Sequence, residues 1–323
     1  MMKSAFQEFS EALSAAKRVV IGTHLNPDGD ALGSALGMSH YLDSLGIENE
    51  VLCHHEPPQN LLFLPGVDRI RQTPKAESFD LGIICDLDST ERLGSTAPWF
   101  EACPKIIVID HHVPHEKPGD LRIIDQTAAA AAAIIARMFF ALGATITPSM
   151  ATCLLTGIVT DTGSFRFRNT NSEALVLAGR LLECGGNIGL ICEEIFQRKP
   201  LASARLLGWV LEHMELLSND QIAWGSVSYD QFQRAGARDE DTEGFVNDLL
   251  AIETVQIAAL FRETKPNWIR VSLRCRNEYD VAEVAREFGG GGHKLAAGCS
   301  FDLPLSEAIE IFVPRLVKCL ESS

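Results

Sequence analysis

The chain has 323 residues and carries 28 Lys and Arg against 43 Asp and Glu, a formal net charge of −15 at pH 7. With 46% hydrophobic and 22% charged residues it lies far from the low-hydrophobicity, high-charge composition of disorder, and at this length it is expected to fold as about two domains. The acidity excludes a protein that coats long nucleic acid by charge alone, because that mode needs Lys and Arg to displace phosphate counterions, so a phosphate ligand would have to be neutralised by something else.

From the N-terminus to about residue 190, short β-prone apolar runs alternate with segments of helical period, the pattern of an α/β fold with a parallel sheet covered by helices. Strands are expected at residues 18–23, 50–54, 81–86 and 105–110, and three of them end where polar residues begin. In open α/β sheets ligands sit off the carboxyl ends of the strands, so that edge is where chemistry is expected. A further short strand is read at 121–124, and the alanine run 128–133 reads as the tightly packed start of a helix. Residues 190–217 read as a helix, an interruption at Pro200 and a second helix, with no strand signal. Beyond them lie β-rich runs at 222–229, 255–262 and 268–274, helical patterns at 241–252 and 281–288, and a final helix at 305–320, which together predict a smaller C-terminal α/β domain. The expected division is therefore 1–190, a helical linker 191–217, and 218–323.

Four polar clusters stand at strand or helix ends. The first, THLNPDGDALGS, places His24, Asp28 and Asp30 close together. Carboxylates this near repel, and a divalent cation is the natural way to hold both ionised. Imidazole with carboxylate suits a first-row metal such as manganese better than calcium. The same residues are also good turn and helix-cap chemistry. The second cluster, CDLDSTERLG, puts Asp86 at the end of an apolar strand, while Asp88 reads as a cap rather than a ligand. In the third, KIIVIDHHVPHE, residues Asp110, His111 and His112 follow a strictly hydrophobic strand. Adjacent histidines point different ways, so one can ligate a metal while the other faces substrate as a cation or proton donor. Asp110 is then a candidate partner for the second ring nitrogen of the ligating histidine. The pair His54 and His55 follows a strand without a preceding acid and reads as surface histidines. The fourth cluster, TGIVTDTGSFRF, offers Asp161 to complete a metal shell and Arg166 for a phosphate oxygen. His24, Asp28, Asp30, Asp86, His111 and Asp161 suffice for two metals about 3.5 to 4 Å apart, which would activate water and supply the positive charge that the side chains lack.

In VAEVAREFGGGGHKLAAG a helical pattern ends in Gly289, Gly290, Gly291 and Gly292, followed by His293 and Lys294. Glycines let backbone amides close on an anion as a nest, although such a run also serves as a hinge or helix terminator. Arg262, Arg270, Arg274 and Arg276 lie on or beside neighbouring strands, and alternation would put the last three on one face as a basic patch.

The ordered motifs THLNPDGDALGS, CDLDSTERLG, VIDHH, GIVTDTGSFRF and GGGGHKLAAG resemble the DHH phosphoesterase superfamily with its C-terminal DHH-associated domain. Within it the chain is similar to the stand-alone oligoribonuclease and pAp phosphatase group, the nanoRNases. The resemblance implies hydrolysis of very short RNA to mononucleotides and conversion of 3′-phosphoadenosine 5′-phosphate, a 3′,5′-nucleoside bisphosphate, to AMP. It further implies that His24, Asp28 and Asp86 hold one divalent ion and Asp30, Asp86, His111 and Asp161 the other. Mn2+ is the expected ion, with Mg2+ or Co2+ as alternatives. His112, with Asp110, would act at the scissile phosphate, and Gly290, Gly291, Gly292, His293, Arg274 and Arg166 would bind substrate. One departure is DQTAAAAAAIIARMF, where relatives usually show small hydroxyl residues: alanine side chains donate no hydrogen bond, which puts any contact made there in doubt. Alternative readings keep the fold but take cyclic dinucleotides, their linear products or single-stranded DNA in a RecJ-like manner. A non-enzymatic nucleotide-binding module is disfavoured because every expected ligand is present.

Nine cysteines, odd in number and without a C-x-x-C, point to reduced thiols. No signal-peptide pattern is found, and the longest apolar run, 128–144, is broken by Arg137 and falls short of the ~20 residues of a membrane span. A cytoplasmic protein with no membrane association is expected. The apolar stripe of 201–217 suits either a homodimer surface or a brace between domains.

Overall fold

The short apolar runs read as strands in the first half form strands, and helices cover both faces of their sheet, which is why these runs are largely β-branched and aliphatic. The computed structural model describes residues 2–87, 89–112, 119–276 and 279–321, so Asp88 and the end of the third cluster lie outside the described residues. The chain divides into two compact units, Met1–Arg198 and Lys199–Ser323. Residues 191–217 thus fall on both sides of that division: Ile191 belongs to the core of the first unit, Leu206 and Val210 to a core of the second.

The first unit holds six strands, β1 (Arg18–Gly22), β2 (Glu48–Leu52), β3 (Ile70–Arg71), β4 (Leu81–Cys85), β5 (Ile106–Asp110) and β6 (Leu121–Ile124). They form one sheet of order β3-β2-β1-β4-β5-β6 in which every pairing is parallel. The two-residue edge strand β3 had no sequence signal. Val19, Ile21, Ile83, Cys85, Ile107 and Ile109 join the larger core on one face, and Val20, Ile84 and Val108 join a smaller one around Phe100 on the other. The helices that matter to the site are α1 (Met2–Ala15), α2 (Gly29–Ser44), α3 (Ala131–Ala141), α4 (Pro148–Asp161) and α5 (Ser172–Glu183). Helices α2, α3 and α4 approach so closely that a Cβ built on Gly157 would lie 2.5 Å from Ala132 Cβ and 2.6 Å from Asp30 Oδ1. The alanine run is therefore a packing requirement. It differs from expectation in one respect: the helix begins only at Ala131, and Ala130 before it is extended, with φ −163° and ψ 155°.

The second unit is a mixed sheet of order β11-β12-β10-β9-β8-β7, built from β7 (Glu215–Leu217), β8 (Ile222–Val227), β9 (Ile257–Lys265), β10 (Trp268–Cys275), β11 (Gly291–His293) and β12 (Ala296–Asp302). Only β8 and β9 pair in parallel. One face is covered by α8 (Val281–Glu287) and α9 (Leu305–Glu321), the other by Leu206 and Val210 of α6 (Leu201–His213) and Phe245 and Leu249 of α7 (Phe245–Leu250). Two expectations need correction. Strand β7 lies inside 190–217, where none was read, and the glycine run is part of a hairpin: Gly291, Gly292 and His293 pair with Gly298, Ala297 and Ala296. A Cβ on Gly290 would sit 2.2 Å from the Gly298 carbonyl, so strand contact itself demands glycine there. Among the described residues no helix is long and apolar enough to cross a membrane, and the nine cysteines are free.

Candidate metal centre

All of the first three clusters leave the sheet at its carboxyl edge, because β1, β4 and β5 run in parallel. His24 follows β1. Its Nδ1 donates to the Leu25 carbonyl at 2.7 Å, which leaves Nε2 to face the carboxylates, 3.4 Å from Asp86 Oδ2 and 3.9 Å from Asp28 Oδ1. Asp28 is the N-cap of α2, its Oδ1 accepting from the backbone of Asp30 and Ala31 at 3.0 Å each. The cap and ligand readings of this residue thus coexist. Asp86 stands one residue past β4 in the left-handed region, with φ +57°, while its N–H donates to the Ile109 carbonyl at 2.9 Å. A non-glycine residue in this region carries strain of order 1 kcal/mol, which the ladder bond and the surrounding core must hold in place.

The bend brings Asp86 between the imidazoles: its Oδ1 is 3.5 Å from His111 Nε2 and 3.5 Å from His112 Nδ1. His111 Nε2 also lies 3.8 Å from Asp30 Oδ2 and 3.4 Å from Asp161 Oδ2. Three groups of ligand atoms result, each within 4.8 Å: His24, Asp28 and Asp86; Asp30, His111 and Asp161; and Asp86, His111 and His112. Asp86 is 2% exposed, and its Oδ1 has no hydrogen-bond partner among the described residues. A buried carboxylate oxygen without a donor, ringed by imidazole nitrogens and further carboxylates, fits divalent cations with mixed N and O ligands.

Two supporting contacts were not read from sequence. Asp30, fully buried, accepts from the N–H groups of Ala131 at 2.6 Å and Ala132 at 2.9 Å and from Ser34 Oγ at 3.2 Å. It caps α3 from about 100 positions away, where Ala130 has no side chain able to do so, and its charge sits on the positive end of the helix dipole. His111 Nδ1 donates to the Ala128 carbonyl at 3.3 Å. The alanine run therefore serves the site through its backbone. The signal available in the sequence was negative: a helix start without Ser, Thr, Asp or Asn must borrow a cap from elsewhere. The expectation for Asp110 is corrected in the same way. Its Oδ1 accepts from His112 Nδ1 at 2.8 Å and from the backbone N–H groups of His111 and His112 at 2.8 and 3.2 Å, so it holds His112 rather than the ring of His111. His54 and His55 are half-buried, with His54 Nδ1 2.8 Å from Ser95 Oγ and His55 Nδ1 accepting from the Asn26 N–H at 3.1 Å.

Burial disfavours charge on every member, and the outcome depends on partners. For His24 burial opposes protonation, but Asp86 and Asp28 outweigh it and lift the imidazole to about 9. For His111 burial likewise opposes, and Asp86, Asp30 and Asp161 lift it to about 10. Burial and then the Asp86 charge push Asp30 up to about 7, against the pull of His111. Asp161 is raised for the same two reasons, burial and neighbouring carboxylates. Asp86 goes the other way: despite burial, the two imidazoles hold it well below the ordinary carboxylate range. The hydrogen bond to Asp110 raises His112, with burial opposing.

Without metal, the two imidazolium ions therefore do the work of cations, and each must release a proton to become a ligand. Mn2+ affinity is expected to climb as pH rises toward about 9 to about 10, with proton release measurable by calorimetry in buffers of different ionisation enthalpy. A pH-independent affinity would show that His24 and His111 do not ligate. Because the folded pKa values of both imidazoles are raised, the stability they confer on the metal-free chain is complete below the ordinary 6.5 and is lost as pH rises through about 9 to about 10.

The expected substrate-binding residues are placed separately. Arg166, on the turn after Asp161, donates Nε to the Gly163 carbonyl at 2.7 Å and lies 5.9 Å over the Phe196 ring. In the second unit Arg276 is not part of the basic face: it donates to the carbonyls of Val255, Leu250 and Ile252. Arg270, Ser272 and Arg274 share one face of β10, but Arg270 and Arg262 both pair with Asp239, and Arg262 also donates to Ser272 Oγ at 2.8 Å. Burial lowers the Arg274 pKa, opposed by Glu243. The register sets His293 opposite Ala296 and Ala296 opposite Arg274, so His293 and Arg274 lie on the same face two strands apart. Gly290 sits at the entry to this hairpin, and Gly291 and Gly292 lie within it.

Residues 18–158 match the DHH family, N-terminal domain, and residues 225–322 match the DHHA1 domain. The bifunctional oligoribonuclease and PAP phosphatase NrnA of Thermus thermophilus is 33% identical over 307 residues, which covers 93% of this chain and 90% of that protein. An exopolyphosphatase-related protein from Bacteroides fragilis has a similar crystal structure, with TM-score 0.91 and 27% identity over 98% of this chain and 96% of that one. RecJ from Thermus thermophilus, solved in complex with Mn2+, shares the fold at TM-score 0.55 and 15% identity over 97% of this chain and 53% of that one.

Proposed function

The chain belongs to the DHH family, and on that premise we propose that it is a two-metal phosphoesterase that hydrolyses short oligoribonucleotides to mononucleotides and removes the 3′-phosphate of 3′-phosphoadenosine 5′-phosphate to leave AMP. The observation that carries this reading is the convergence of His24, Asp28, Asp30, His111 and Asp161 around Asp86. The activity for which the Thermus thermophilus relative is named supports the choice of substrate. Its fit to an acidic chain is physical, since the centre itself would provide the positive charge.

In this reading His24, Asp28 and Asp86 would hold one ion and Asp30, Asp86, His111 and Asp161 the other. Bound there, two divalent ions lower the pKa of a water and neutralise charge on the phosphoryl oxygens. Mixed nitrogen and oxygen donors favour Mn2+ over Ca2+, with Mg2+ and Co2+ as further candidates. His112 keeps a proton on Nδ1 for Asp110, so Nε2 is the atom that faces a phosphate oxygen, and its raised pKa lets it do so as a cation. Arg166, Arg274, His293 and the amides of Gly290, Gly291 and Gly292 are assigned to the remaining phosphate and base of a short substrate.

The test is a substrate panel read by product identity. With Mn2+, mononucleotides are expected from RNA of about two to five residues and AMP from the bisphosphate, with both activities lost in chelator. Full turnover in chelator would overturn the reading, as would cleavage confined to long single-stranded DNA or to cyclic dinucleotides.

A further inference from the structure

The alanine run contributes only backbone to the ligand sphere, so something must fix that backbone. Asn169 donates through Nδ2 to the Ala129 carbonyl at 3.1 Å and to the Asp161 carbonyl at 2.9 Å. Both acceptors are carbonyls, so both amide hydrogens are used and the orientation of the amide is determined. Asn171 donates through Nδ2 to the Thr127 carbonyl at 2.8 Å, while its Oδ1 accepts from the Ala174 N–H at 2.9 Å and caps α5. Between the two acceptors lies the Ala128 carbonyl, which receives His111 Nδ1. Three consecutive carbonyls, those of Thr127, Ala128 and Ala129, are thus each taken by a side chain. The peptides on either side of the middle one are each held by an asparagine, which restrains the segment that carries the Ala128 carbonyl. The other arm of Asn169 holds Asp161 at the end of α4, where helical carbonyls lack partners within the helix.

We propose that Asn169 and Asn171 are positioning residues that set the ring of His111 and the carboxylate of Asp161, and thereby one of the two metal sites. Orientation of a ligating imidazole by the acceptor on its second nitrogen governs metal affinity, and here the acceptor is itself held by these two side chains. The inference rests on the two-metal reading above. The carbonyl and the hydrogen bonds are in the structure, whereas nothing in the alanine side chains could perform this task.

The experiment titrates metal-free protein with Mn2+, counts free Mn2+ by electron paramagnetic resonance, and follows thermal unfolding of the same samples. Asn169→Ala removes both donors. Asn171→Ser keeps a capping oxygen for α5 but is too short to reach Thr127, so it provides a second arm should the first variant fold poorly. Expected is a loss of about tenfold to a hundredfold in affinity at one Mn2+ site for Asn169→Ala and a smaller loss at the same site for Asn171→Ser. The other site should keep wild-type affinity, because His24 and Asp28 make no hydrogen bond to this segment among the described residues. Wild-type affinity at both sites in the variants would overturn the proposal, as would equal weakening of both sites with a lowered unfolding temperature, the mark of a merely structural role. A wild-type protein that binds no Mn2+ would overturn the two-metal reading as well, and the wild-type titration alone identifies that case.

Discussion

Asp86→Asn is expected to lower turnover of the bisphosphate and of short RNA by about 10³-fold while the metal-free chain still folds. Asparagine keeps the size of the side chain, tolerates the left-handed backbone at φ +57° and retains the N–H that bonds Ile109. What it removes is a negative charge that lies against both imidazoles, 3.4 Å from His24 and 3.5 Å from His111. Metal-centred stabilisation of a phosphoryl transition state amounts to several kcal/mol, and about 4 kcal/mol corresponds to the stated factor. A second readout is independent of catalysis. The Asp86 carboxylate favours the protonated form of both histidines, so the two imidazoles should titrate lower in the metal-free variant, visible by NMR. Turnover within tenfold of wild type would remove Asp86 from the centre of the site.

Two residues proposed to share one ion should respond oppositely in stability. Asp30→Ala strips the acceptor from two buried N–H groups at the start of α3, each costing about 1–3 kcal/mol when left unpaired. Part of that loss is returned, because burial and Asp86 make the Asp30 charge itself costly. A net destabilisation of about 2–4 kcal/mol is expected. Asp161→Asn, by contrast, removes a carboxylate that burial and its neighbours Asp30 and Asp86 disfavour, at the C-terminal end of α4 where the helix dipole also opposes a negative charge. The metal-free variant should unfold at the wild-type temperature or above it, although both variants lose Mn2+ affinity. Denaturant unfolding of the metal-free proteins decides the matter: equal destabilisation would mean that the cap on α3 is not what Asp30 provides.

The alternation of apolar runs and helical periods, and the polar residues that end those runs, were legible in sequence. A carboxylate or imidazole directly after a strictly apolar strand has no place in a core, so it must leave at the sheet edge, and parallel pairing puts all such edges together. That is why residues as far apart as His24 and His111 group from the sequence, whereas Asp161, at the end of α4, does not follow from this rule. The basic face was less legible, since a formal charge does not reveal its partner: Arg276 turned out to serve backbone carbonyls, and Asp239 takes both Arg262 and Arg270.

By itself, then, the sequence determined which side chains are chemically able to hold metal and on which strand ends they emerge, because residue type and period are written in it directly. Tertiary structure alone decided how they are aimed: the left-handed turn at Asp86, the capping of α3 by Asp30, the carbonyl of Ala128 on His111 and the asparagines behind it. These are backbone contacts, and every residue carries the same N–H and C=O, so their use leaves no mark in the order of amino acids until the chain has folded.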